Sequence, residues 1–470
     1  MQGKRWDVLI VKGGVVLPGG VEKVDLGIKD GLIVDVAPDL PEGDAGQVLS
    51  AEGKHVFAGV VDAHVHLNEP GLGSWEGFAT GTAALAAGGC TTFIDMPLNG
   101  LPPTVSLAAL ELKLHAARQS GAYVDYALWG GLVPGNAGDL EALAEAGVVG
   151  FKAFMSSPGD TGDGCFRHVD EAGLFEGMEE ISALRGILAL HAESEPIVAA
   201  LAARKLAAGE MSMRDYLDAR PPRAELEAVK LALDLAWRTG CKLHFVHIST
   251  AEAIDVIGEA KRSGLDVTAE TCPHYLAFTD EDVVRIGAGA KCSPPIRSAA
   301  EREALWRRLS YGAIDWIASD HSPCPPEMKY VKNGNAFAAW GGILGAQSTL
   351  EAVLTEGYVK RGIPLHQLSR LLSAAPAERF GLGGVKGRIE AGLDADLAIV
   401  DMAAPYLLSA DQLHYRHAHS AYIGYPFGCQ VEMTLLRGAV IYKKRAGTGK
   451  GELIGGASGR WLLPGRRSIG

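Results

Sequence analysis

At 470 residues and 47% hydrophobic, the chain can bury one large barrel-sized core together with an accessory domain. A formal net charge of −12 disfavours a phosphate backbone as partner, no apolar run is long enough to cross a bilayer, and the Met1–Asp7 start lacks a signal peptide's apolar core. Seven cysteines, odd in number and scattered without paired spacing, point to reduced thiols in a cytoplasmic protein rather than a disulfide framework.

Residues 1–55 read as short strands: Asp7–Lys12, Val15–Leu17, then Val24–Lys29 and Leu32–Val36 around the turn dipeptide Asp30-Gly31, a hairpin signal. Such a fragment leaves sheet edges open and cannot be a complete domain. Strand-like runs return at Gly387–Val400 and Val431–Tyr442. Residues 1–55 plus 386–445 are therefore expected to form one small β-sandwich from both termini, with the middle inserted. The Gly- and Arg-rich tail, 446–470, is expected to end in a mobile segment.

Residues 56–385 alternate between apolar runs and helix-patterned segments. Strands are expected at Phe57–His66, Thr91–Met96, Tyr123–Trp129, Val148–Phe154, Ile187–His191, Leu243–Ile248, Asp266–Thr271 and Ile314–Asp320. Helical patterns at Trp75–Ala87, Ser106–Ser120, Glu171–Arg185, Arg223–Thr239, Ala251–Ser263 and Ala299–Ser310 lie between them, and a longer helix, Gly345–Arg361, follows. Most of these strands are too apolar to alternate, which marks burial on both faces. The fold class is α/β, a closed (β/α)8 TIM-like barrel.

In such barrels the chemistry sits at the C-terminal strand ends. Strand one ends in His64 and His66, two apart and so on one face. Strand four carries Lys152, strand five ends in His191, strand six in His247 and strand eight in Asp320. Imidazole is a common ligand for divalent transition metals. One such group is easily placed by chance; six aimed at one mouth are not. Lys152, between Phe151 and Phe154, is costly to bury charged, and an ammonium cannot bind a metal. It either snorkels, pairs with a carboxylate, or becomes a carbamate by taking up carbon dioxide.

The set resembles the cyclic-amide branch of the amidohydrolase superfamily, over essentially the whole chain. Within that branch the motifs are most similar to the allantoinase family: His64-Val-His-Leu-Asn-Glu-Pro-Gly71, Trp75-Glu-Gly-Phe-Ala-Thr-Gly-Thr82, Asp95-Met-Pro-Leu-Asn99, Phe151-Lys-Ala-Phe-Met155, Lys291-Cys-Ser-Pro-Pro-Ile-Arg297, Ser319-Asp-His-Ser-Pro323 and Ala339-Trp-Gly-Gly342. The resemblance implies two divalent metal ions, zinc first with cobalt, manganese or iron also suited. His64, His66, His191, His247 and Asp320 would hold them, and Lys152 as N6-carboxylysine would bridge them. It implies that a bridging hydroxide attacks the ring amide of a small cyclic ureide, with Asp320 as catalytic base and then acid, opening allantoin to allantoate. Asn99, Ser293 and Trp340 would contact the substrate, and the assembly would be a homotetramer.

Two departures bear on the substrate. Dihydroorotases usually carry arginine where this chain has Asn68, and a neutral amide suits a substrate without that carboxylate, although Asn also caps turns. Dihydropyrimidinases and D-hydantoinases usually carry tyrosine at the position of Ser157. Hydantoinase or dihydropyrimidinase activity on 5-substituted hydantoins remains the alternative, ahead of a dihydroorotase or a non-catalytic scaffold. His244 and His274 read as packing residues, and His321 as a neighbour of the site rather than a ligand.

Overall fold

The computed structural model describes residues 4–159, 162, 164–445 and 449–465. Eight parallel strands close a barrel: β1 (Val60–Val65), β2 (Cys90–Asp95), β3 in two segments (Asp125–Leu128 and Gly130–Gly131), β4 (Phe151–Phe154), β5 (Ile187–His191), β6 (Lys242–Phe245), β7 (Val267–Thr271) and β8 (Trp316–Ile317). Successive strands pair in parallel, and the ring closes where Val65 bridges His321 and the His66 amide donates to the His321 carbonyl at 2.8 Å. Every residue of β1, β2, β4 and β7 is buried, because helices cover the outer face and side chains fill the interior. Trp129, Trp316 and Phe380 meet edge to face in that interior, with ring centres 4.9 and 5.4 Å apart.

The covering helices start where the sequence supplies caps. Ser106 accepts from the Ala109 amide and Asp170 from the Gly173 amide, each satisfying an amide with no partner inside its helix. The helix Pro222–Thr239 buries Ala228, Val229, Ala232, Leu233 and Ala236 on one stripe and ends at Gly240, whose φ of 70° closes it.

The sandwich draws on both ends of the chain. One sheet runs Leu32–Ala37, Asp25–Lys29, Trp6–Val11, Ala45–Ser50; the other runs from Glu452–Leu453 through Ala439–Lys443, Gln430–Leu436, Leu397–Asp401, His55–Ala58 and Gly14–Leu17 to Gly20–Glu22. Ile10, Leu26, Ile28, Val56, Leu397 and Leu435 fill the space between. The Asp30-Gly31 hairpin forms as expected, both residues with positive φ (51° and 80°).

Three elements differ from the sequence reading. The run expected as one strand, Phe57–His66, is split at Gly59: His55–Ala58 joins the sandwich and β1 the barrel. A Cβ at Gly59 would fall 2.2 Å from Thr91 Oγ1, so only glycine fits where the chain changes sheets. The expected helix Gly345–Arg361 begins only at Ala346 with a 3-10 turn and loosens to wide turns over Leu354–Val359. The tail also packs back: Glu452–Leu453 adds a strand, Trp461 bridges Tyr126, and Leu462 is buried in the core. Residues 466–470, where a mobile end was expected, lie outside the described residues. Among the described residues, no helix is long and apolar enough to cross a membrane.

A buried ammonium ties barrel to sandwich. Lys386 Nζ lies 2.6 Å from Asp125 on β3 and 2.8 Å from both Asp394 and Asp396, which lead into Leu397–Asp401. Lys386→Met would leave these carboxylates with Arg437 as remaining cation, and a loss of about 3–5 kcal/mol is expected in chemical denaturation. A change below about 0.5 kcal/mol would show that the joint does not depend on it.

Candidate metal centre

His64 and His66 project from the end of β1 to one side, both buried, with Nε2 atoms 3.2 and 3.5 Å from Asp320 Oδ1. Asp320 follows β8 with φ of 46°, in the left-handed region that side chains rarely adopt, and His247 follows β6 with φ of 39°. This backbone geometry turns the two side chains into the barrel mouth. His191 closes β5, its Nδ1 3.1 Å from His247 Nε2, and Phe154 stacks on it at 4.5 Å. Lys152 on β4 is wholly buried, its Nζ 4.9 Å above the Phe154 ring, with no hydrogen-bond partner for that amine among the described residues.

The outward ring nitrogens explain why the inward ones are available. His64 Nδ1 lies 2.5 Å from Glu270 Oε1, and His191 Nε2 lies 2.9 Å from Glu193 Oε2. A carboxylate on one nitrogen fixes the tautomer and leaves the other nitrogen with its lone pair facing the cavity. Burial pushes His66, His191 and His247 below the ordinary imidazole range, which favours the neutral ligand form. Burial opposes ionisation of Asp320, yet the His64 and His66 imidazoles outweigh it and hold the carboxyl below its usual range. Burial also pushes the Lys152 ammonium down to about 7, against the pull of Glu270 and Asp320. The imidazole and carboxylate donors fit a divalent transition metal. His64, His66 and Asp320 are close enough to share one ion. Among the described residues, the other acidic group close enough for this, Asp125, Asp394 and Asp396, is already occupied by Lys386.

A cavity of 630 Å³ opens over this cluster. His64, His66, His191, His247, Asp320, Asn99, Ser293 and Trp340 all line it, while Lys152 lies beneath the wall. Asn68 does not line it. Its φ is 65° and its amide donates to the Asn99 carbonyl at 3.2 Å, so it braces the loop that presents Asn99. His244 packs on Trp316 and lies 3.1 Å from Glu270, a supporting position as expected. His321 stacks on Tyr415, and His274 is buried against Tyr275. Ser157, Pro158 and Gly159 line the cavity; residues 160, 161 and 163, farther along the same loop, lie outside the described residues.

The supporting groups were not foreseen. Glu270 sits in the otherwise uncharged β7, and a lone acid in a buried strand was the available signal. Lys329 is fully buried, and its ammonium donates to the carbonyls of Lys291 (2.9 Å), Trp340 (3.0 Å) and Gly342. It thereby pins the loop bearing Trp340 to the segment bearing Ser293. Glu270→Gln is expected to weaken metal binding about 10–100-fold, read by competition with a chelator. Lys329→Met is expected to raise KM at least about tenfold with a smaller effect on kcat, because it frees the wall and not the ligands.

The fold that carries this cluster recurs in known proteins. The model of the Amidohydrolase family matches residues 55–441. The chain is 50% identical to an allantoinase from Rubrobacter xylanophilus over 97% of this chain and 98% of that one. It is 45% identical to an allantoinase from Bacillus velezensis over 98% of each. Among solved structures it is similar to an L-hydantoinase (dihydropyrimidinase) from Arthrobacter aurescens, with a TM-score of 0.91 and 35% identity, covering 97% of this chain and all of that one. With the family model matching residues 55–441 and relatives matched along nearly its whole length, this chain belongs to the amidohydrolase family.

Proposed function

We propose that this protein hydrolyses the ring amide of allantoin to give allantoate, a step in purine breakdown. The observation that carries this reading is the near full-length identity to allantoinases, 50% and 45%, against 35% to the L-hydantoinase. The second reading, hydrolysis of 5-substituted hydantoins or dihydropyrimidines, draws on the TM-score of 0.91 to that hydantoinase.

In this reading His64, His66 and Asp320 would hold one divalent ion, zinc foremost, and His191 with His247 would hold a second. Lys152, if carboxylated, would add oxygen donors to the ligand set. Its burial without a hydrogen-bond partner supports this, since a carbamate needs a neutral amine. When bound, such ions polarise the ring carbonyl and lower the pKa of water. Asp320 accepts a proton from the attacking water and returns it to the ring nitrogen as the carbon–nitrogen bond breaks, so one C–O bond forms for the C–N bond lost. The Ser293 backbone, Asn99 and the Trp340 loop orient the ring from the cavity wall. The reading carries with it a cytoplasmic homotetramer.

Ring opening of (S)-allantoin, hydantoin, dihydrouracil and dihydroorotate, with metal and bicarbonate supplied, tests it. Allantoin is expected to lead in kcat/KM by at least about tenfold, and Lys152→Ala to abolish turnover. Preference for hydantoin or dihydrouracil would transfer the substrate to the second reading. Turnover of none would overturn the proposal.

A further inference from the structure

The chain between β5 and β6 holds two short helices, Glu195–Ala207 and Met213–Asp218, before Pro222–Thr239, and this insertion forms one wall of the cavity. Val198, Ala202, Leu206 and Ala219 make the wall largely apolar; Arg220 is its charged member. Arg220 Nη1 donates to Glu193 Oε2, the same oxygen that lies 2.9 Å from His191 Nε2. The guanidinium is therefore one carboxylate oxygen away from the His191 imidazole, on the wall of the same cavity. Its carbon lies 5.7 Å from the centre of the Tyr216 ring, whose hydroxyl is fixed 2.6 Å from Ser293 Oγ. Among the described residues the side chain makes no other hydrogen bond, which leaves Nε and Nη2 with donors to give at a cavity wall.

What such a group recognises follows from its pairing. The positive charge is already met by Glu193, a wholly buried carboxylate. An arginine paired in this way offers fixed N–H donors without a net charge to neutralise, and so suits a neutral carbonyl better than a second carboxylate. Allantoin differs from plain hydantoin by a planar, uncharged ureido group on C5, whose carbonyl oxygen is a strong acceptor. We propose that Arg220 is a specificity-determining residue that donates its free N–H groups to that ureido carbonyl. The inference rests on the allantoin reading and adds to it the residue that selects the substituent.

The ring-opened products give a test without turnover. Allantoate carries two ureido groups, whereas hydantoate, the ring-opened form of plain hydantoin, carries one. Calorimetric titration of the metal-loaded enzyme with each product, alongside metal analysis, compares wild type with Arg220→Lys, which keeps a cation beside Glu193 but loses the planar fork. Arg220→Lys is expected to weaken allantoate at least about tenfold and hydantoate far less. Metal content should be retained, and KM for allantoin should rise more than kcat falls. Equal weakening of both products, weakening that tracks metal loss, or an allantoate preference that survives the substitution would overturn the role of Arg220. A wild-type enzyme that neither opens allantoin nor prefers allantoate would instead refute the substrate reading, and the inference with it.

Discussion

Glu270 is the group on which the mouth of the barrel depends. One fully buried carboxylate meets the His64 imidazole and the His247 amide with one oxygen, and the His244 imidazole and the Trp316 indole with the other. Burying a charge without partners would be prohibitive; four donors make this one tolerable. The same contacts tie β7 to the elements on either side and set the tautomer of His64. Glu193 does the corresponding work for His191, with Arg220 as its counter-charge, and that cation holds the Glu193 carboxyl down at about 2 although burial opposes its ionisation. The orientation of the His64 and His191 rings is thus set by two fully buried carboxylates that do not line the cavity.

In the proposed reading, chemistry and selection occupy different parts of the chain. The clustered imidazoles and the Asp320 carboxylate stand at strand ends, whose positions are fixed by barrel pairing. The walls come from connections: the Asn99 loop braced by Asn68, the Trp340 loop pinned by Lys329, and the insertion carrying Arg220. Connections can vary without disturbing the barrel, so a likeness in fold to hydantoinases and a closer sequence likeness to allantoinases coexist in one chain.

Much of this was legible before any coordinates. Buried strands without alternation announced a parallel barrel, and the two-residue spacing of His64 and His66 announced a shared face. What escaped depends on partners distant in sequence. Nothing local shows that Gly59 separates two sheets, because the reason is Thr91 pressed against it. The side chain of Glu270 could be placed on a face of β7, but its partners lie on other strands. Asn68 invited a reading as a substrate contact; its amide turns to the Asn99 backbone because a left-handed turn directs it there. The short helices at Glu195–Ala207 and Met213–Asp218 interrupt the strand–helix rhythm, so the wall that bears Arg220 went unassigned.

Metal stoichiometry of the purified protein tests the central claim most directly. Elemental analysis of wild type and of Lys152→Ala, each supplied with zinc and bicarbonate, reads whether the buried amine belongs to the ligand set. Two ions per chain in the wild type and a marked loss in the variant are the expected result. Two ions retained without the lysine, or full activity with none bound, would contradict a centre built on these strand ends.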